Sequence, residues 1–210
     1  MTCLTRQGSF VSDRSLIIME ILKEKPDTKR PVIIRAATSL FAQQGVDGTS
    51  MRDIADASGV REAAIYRYFP GKRELAREIF MSWYRWYTEE LQRIVSSPST
   101  SMERVDGLVR HEFAAATNHS EAFVYICDNE LRFLGDLPSE VTSVRKILTS
   151  FISAGQDRGE IRKGDTKLLA DMLSGALCAA ALGWLRTRRR KPLSAQLGEV
   201  VETCWQMIAA

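Results

Sequence analysis

The stretch Thr49-Ser-Met-Arg-Asp-Ile-Ala-Asp-Ala-Ser-Gly-Val60, continued by Arg61-Glu-Ala-Ala-Ile-Tyr-Arg-Tyr68, decides the fold. Ser50 and Asp53 have the spacing of a capping box, in which side chain and backbone at a helix start satisfy one another; Thr49 is the alternative cap. The helix is short, because Gly59 supplies the positive φ that ends it. A second short helix, from about Arg61 to Tyr68, stops before Pro70. The link Ser58-Gly59-Val60 is too tight for a parallel pair. Ala55 is small where the helices must cross, and Ile54, Val60 and Ile65 close a core between them. This is the layout of a helix-turn-helix, whose second helix lies in the DNA major groove.

Upstream, Ile33, Ala37, Leu40 and Phe41 fall at i, i+4, i+7 and i+8, one face of a helix that Gly45 ends. Pro31 sits in its first turn, where a missing N–H costs nothing. Downstream, a long helix over about 71–95 ends in Ser-Ser-Pro-Ser-Thr-Ser at 96–101. Further helices are predicted near 102–117, 120–134, 138–158, 165–188 and 193–208, and no strand is expected. The reading is all-α, about nine helices: a flexible arm at 1–27, a three-helix DNA-binding domain at 28–76, and a helical effector-binding and dimerisation bundle at 77–210.

Composition narrows the classes. Hydrophobic residues make up 45% and charged residues 26% of 210 residues, enough apolar surface to offset the entropy of folding. No uncharged apolar run of membrane-spanning length occurs; Leu173 to Leu185 is too short and is followed by Arg186, Arg188, Arg189 and Arg190. With only Leu16 to Met19 as an apolar run near the N-terminus, no export signal is expected either, and a cytoplasmic protein is. Net charge is +3, of which +4 falls between Thr28 and Arg77 (nine basic residues against five acidic), leaving −1 elsewhere. That basic head points to nucleic acid. Cys3, Cys127, Cys178 and Cys204 have neither zinc-site nor disulfide-framework spacing, and only His111 and His119 could join them, so no metal or other cofactor is expected. An enzyme is disfavoured: no Ser-His-Asp arrangement, metal-ligand cluster or phosphate-binding Gly-rich loop is visible.

Three blocks, Ile34 to Gly45, Thr49 to Val60 and Ile65-Tyr-Arg-Tyr-Phe-Pro-Gly-Lys-Arg-Glu-Leu75, together resemble the DNA-binding domain of the TetR family of bacterial transcriptional regulators. The resemblance covers about residues 28–80; residues 81–210 are similar only in helical layout. It implies a homodimer on a palindromic double-stranded operator. It further implies that Arg52 and Arg61 reach phosphates or guanine edges, and that Arg67 flanks the groove. Tyr66 would donate to a phosphate, Lys72 would add charge there, and Thr49 would stand at a helix N-terminus that accepts an anion. Ala63 is small where the recognition helix comes closest to DNA. Arg61 replaces the usual Ser or Thr after Gly-Val, and Glu62 could accept from a cytosine amine; both bear on operator choice.

The small-residue run Ser174 to Gly183 lets its helix pack closely on another, and the last helix carries an apolar stripe. The resemblance implies that these two helices form a four-helix dimer interface, placed at Leu177, Ala181, Leu197, Val201 and Cys204. Candidate pocket residues are Trp83, Tyr87, His111, Phe113, Phe123, Arg132 and Trp184, with Asn129 and Glu130 as further polar anchors. Their aromaticity favours a small apolar or aromatic effector. The basic run Arg186 to Lys191 also admits an acyl-coenzyme A, although cations at a helix C-terminus complement its dipole without any ligand. The function expected is a ligand-responsive repressor. An architectural DNA-binding protein without a ligand is the alternative.

Overall fold

The computed structural model describes residues 29–187 and 193–210; the arm expected at 1–27 and the basic residues Arg188 to Lys191 lie outside them. Among the described residues the helices are α1 (Lys29–Gln44), α2 (Met51–Ser58), α3 (Glu62–Ile65), α4 (Lys72–Val95), α5 (Ser101–Asn118), α6 (Ser120–Phe133), α7 (Val144–Asp157), α8 (Thr166–Arg186) and α9 (Leu193–Ile208). A 3-10 turn spans Leu134–Asp136, and one antiparallel bridge joins Ile161 to Ala209. The fold is all-α.

Local chemistry sets the helix starts. Ser50 Oγ accepts from Asp53 N at 3.1 Å while Asp53 Oδ2 accepts from Ser50 N at 2.7 Å, so Ser50 is the cap of α2. Gly59 ends α2 at φ 67°, a conformation that a side chain makes costly. Thr100 and Glu103 repeat the box at α5, and Asp165 accepts from Lys167 N and Leu168 N at α8.

Two expected boundaries shift. The recognition helix α3 is one turn, Glu62–Ile65, and not Arg61 to Tyr68; Arg67 to Phe69 continue as tight turns in which Tyr68 N donates to Ile65 O at 2.9 Å. The helix expected from 138 begins at Val144, because Ser143 is the cap and Val144 N is drawn to Tyr84 Oη at 3.1 Å.

The head core comprises Ile33, Ala37 and Phe41 from α1, Ile54 from α2, Ile65 from α3, and Leu75 and Ile79 from α4, all nearly inaccessible to water. Burial of such side chains stabilises by roughly 1.5–3 kcal/mol each. The 24 residues of α4 extend about 36 Å, at 1.5 Å per residue, from that core into the bundle. The head is seated a second time on α6: Phe41 stacks on Tyr125 at 5.6 Å, and Tyr125 Oη donates to Ala76 O at 2.7 Å. By length and apolarity α8 could cross a bilayer, longer than its Leu173 to Leu185 core suggests. Here it is the central helix, packed on α5, α7 and α9, with Leu169, Leu173, Leu177, Ala181 and Trp184 buried.

Candidate DNA-binding face and effector cavity

In the head, the capping box and Gly59 turn fix α2 against α3, leaving Arg52, Arg61, Glu62, Ala63, Tyr66 and Arg67 exposed. The side chains of Arg52, Arg61 and Arg67 make no hydrogen bond or ion pair with any described residue, and their guanidinium donors face solvent. Tyr66 is 48% exposed, rare for a tyrosine in a packed head. No side chain caps α3, whose N-cap residue is Arg61. Planar guanidinium groups and one phenol on a rigid small platform suit phosphates and guanine edges.

Two residues expected on this face are otherwise engaged. Thr49 is 1% exposed, and its hydroxyl donates to Gly45 O at 2.8 Å, closing the loop between α1 and α2; it offers no anion site. Lys72 Nζ donates to Thr49 O at 2.6 Å and to Asp47 O at 3.4 Å, so its ammonium braces the same loop from beneath. Arg132, expected at the effector pocket, instead pairs with Asp47 and holds Asp47's carboxyl below the usual carboxylate range. Together with Ser39 Oγ donating to Glu121 at 2.8 Å, it ties the head to α6. No local pattern announces contacts between residues more than 80 positions apart.

Within the bundle, α4 to α8 enclose a cavity of about 70 Å³. Tyr87 and Phe123 line it as expected, with Leu148 and Leu177 among the apolar walls. Its polar members were missed, apart from Glu130. Glu112 is 2% exposed and accepts a short hydrogen bond from Tyr87 Oη; Tyr84 Oη donates to Glu130 at 2.8 Å. Burial pushes the Glu112 carboxyl up to about 8, against the lowering effect of Tyr87's hydrogen bond, and Cys178 and Glu130 add to the rise. Burial likewise raises both phenols. Cys127 and Cys178 meet at the cavity wall with sulfurs 3.3 Å apart. The signal for Glu112 was present: it follows Leu108 by four and Val109 by three, a carboxyl on the apolar stripe of a helix.

The other expected pocket residues lie elsewhere. Trp83 and His111 sit with Trp86 and His119 in an aromatic cluster beside the cavity, ring centroids 5.2–6.0 Å apart, and His111 packs at 5.0 Å on Tyr87, which lines the cavity. Burial lowers His111 to about 4, and neither Trp83 Nε1 nor His111 Nε2 has a hydrogen-bond partner among the described residues. Asn129 is buried and donates to Tyr125 O at 3.0 Å, a contact within its own helix. Phe113 and Trp184 floor an outer groove of about 430 Å³ between α8 and α9.

That groove bears on the dimer assignment, and Cys204 is among its lining residues. Leu177 and Ala181 are buried within the protomer, at 3% and 0% exposure, and Leu177 faces the inner cavity. Cys204 and Val201 are nearly as buried, and Leu197 is half-buried. Ala179, Val200 and Thr203 present the groove's accessible edge. A helix apolar on all sides does not reveal which face turns inward.

Residues 33–79 match the profile of bacterial regulatory proteins, tetR family. The chain is 30% identical over 114 residues to the HTH-type transcriptional repressor KstR2 of Mycolicibacterium smegmatis, covering 54% of this chain and 55% of that one, about half its length. Its fold is similar to the ketosteroid transcriptional regulator KstR2 of Mycobacterium tuberculosis, with a TM-score of 0.70 at 23% identity over 89% of this chain and 97% of that one. It is similar also to the transcriptional regulator FadR of Bacillus subtilis in complex with stearoyl-CoA, with a TM-score of 0.67 at 20% identity over 84% and 98%. The helix-turn-helix and the match over residues 33–79 give this chain a head similar to that of bacterial regulatory proteins, tetR family, on a fold similar to those regulators.

Proposed function

We propose that this chain is a ligand-responsive transcriptional repressor that binds a palindromic operator as a homodimer and leaves it when a small apolar effector fills the α4–α8 cavity. The observation that carries the reading is the exposed set Arg52, Arg61, Tyr66 and Arg67 on a head whose core shares one helix, α4, with the cavity. Residues 28–76 act as the DNA-binding domain and residues 77–210 as the effector-binding and dimerisation domain. The dimer forms across α8 and α9, around Ala179 and Val200, which sets two recognition helices on one face of the duplex. A DNA target places the protein in the cytoplasm. The stearoyl-CoA held by the Bacillus subtilis regulator supports an effector with an extended apolar part.

Release follows from linkage. An effector that binds the DNA-incompetent arrangement better shifts the population by its differential affinity. Tyr84 and Tyr87 on α4 border the cavity, so an occupant that enlarges 70 Å³ displaces α4 against the Tyr125 and Arg132 seats of the head. The test is fluorescence anisotropy on DNA from upstream of the chain's own gene, titrated with salt. Binding tighter than to random DNA, at two chains per site and with a steep salt dependence, is the result expected. Weak binding indifferent to sequence refutes the reading in favour of an architectural role.

A further inference from the structure

We infer that the cavity between α4 and α8 selects an effector carrying a positively charged amine on its apolar body, held by Glu112 and Glu130 among the rings of Tyr84, Tyr87 and Phe123. This rests on the reading of that cavity as the effector site. No Lys, Arg or His is among its lining residues, whereas two carboxyls are. Both phenolic protons are already given to those carboxyls, Tyr84's to Glu130 and Tyr87's to Glu112. The one side-chain hydrogen bond of Glu112 among the described residues uses Oε2, and the residue lines the cavity at 2% exposure, which leaves its Oε1 for an occupant. The cavity therefore offers acceptors and aromatic faces, and lacks a basic donor. An ammonium group matches both features, through charge-assisted hydrogen bonds and attraction to ring faces. A carboxylate entering the same space would meet two carboxyl side chains and no cationic partner among the lining residues.

Binding then carries a proton signal. Glu112 holds its proton in the empty cavity at neutral pH, and a neighbouring ammonium favours its ionised form. Glu112–COOH and the ammonium become a carboxylate–ammonium pair, and the proton passes to the buffer.

The experiment is calorimetric titration of the full chain at pH 7, without DNA, with hexylammonium, hexanol and hexanoate. Each titration is run in phosphate and in Tris, whose different ionisation enthalpies count protons. Hexylammonium should bind at least about tenfold tighter than hexanol, with hexanoate weakest. It should release about one proton per site. Glu112→Gln should abolish the proton release and the preference for hexylammonium over hexanol. If Glu112→Gln does not fold, the wild-type order and proton count decide alone. The inference falls if hexanoate binds as tightly as hexylammonium, if no proton is released, or if none of the three binds. Hexanoate binding best would keep the cavity as the effector site and remove only the amine. Hexylammonium binding to a protein that never engages DNA would keep the amine and remove the repressor.

Discussion

Substituting Glu112 by Gln should remove a pH dependence of stability that the wild-type chain carries above pH 6.5. The folded protein raises this carboxyl from 4.5 to about 8, with Tyr87 facing it from α4, Glu130 from α6 and Cys178 from α8. Between those values the folded state holds a proton that the unfolded chain has released, so stability falls as pH rises, and above 8 the loss is complete. The slope is about 1.4 kcal/mol per pH unit. His111 acts in the opposite sense over a lower window. Its burial moves it from 6.5 to about 4, so the unfolded chain binds the extra proton there and stability falls as pH drops through that range. The two slopes oppose each other between 4.5 and 6.5, and of these two groups Glu112 alone acts from 6.5 to 8. The wild type should therefore lose about 2 kcal/mol across those 1.5 units. Urea unfolding at several pH values measures this, at one chain concentration because dimerisation contributes to apparent stability. A wild-type curve flat from 6.5 to 8, or a Glu112→Gln curve with the same slope, refutes the assignment of a buried neutral acid.

Three further outcomes are expected. Arg61→Ala should change which operator bases are preferred, by about 1–3 kcal/mol at the affected position, whereas Tyr66→Phe should weaken all sequences alike; anisotropy on an operator and its single-base variants separates the two. Ala179→Glu combined with Val200→Glu should yield monomers in sedimentation, since both side chains line the accessible groove between α8 and α9. A dimer that survives both moves the interface elsewhere. Tyr125→Phe should cost about 1 kcal/mol of stability in urea unfolding, because the buried hydroxyl's bond to the carbonyl of Ala76 is lost, and an unchanged midpoint would discount that bond.

The head was legible because its determinants are local. The Ser50–Asp53 box, the Gly59 turn and the small Ala55 each act within a few residues, and all three appear in the fold. The length of α3 was not, since no Gly or Pro interrupts the chain between Gly59 and Pro70, yet Tyr68 and Phe69 are drawn into turns. The bundle was legible as helices and much less as a site. Sorting aromatics by type could not separate Tyr87, which borders the inner cavity, from Trp184, which floors the outer groove, because the facing of α8 depends on α5 and α9. Thr49, Lys72 and Arg132 have the residue types of a binding site, yet all three are taken up in bracing one loop, through partners 4, 23 and 85 positions away. Glu112 was the reverse, a decisive polar group visible only as a break in an apolar stripe.

Selection of bound sequences from a pool of random duplex DNA, using the full-length chain, tests the central claim most directly. The account predicts enrichment of an inverted repeat whose half-sites are bound by one chain each, lost in Arg61→Ala or altered in its preferred bases. A bound pool indistinguishable from the input would contradict it, and would leave the exposed arginines of the head as a sequence-blind phosphate contact.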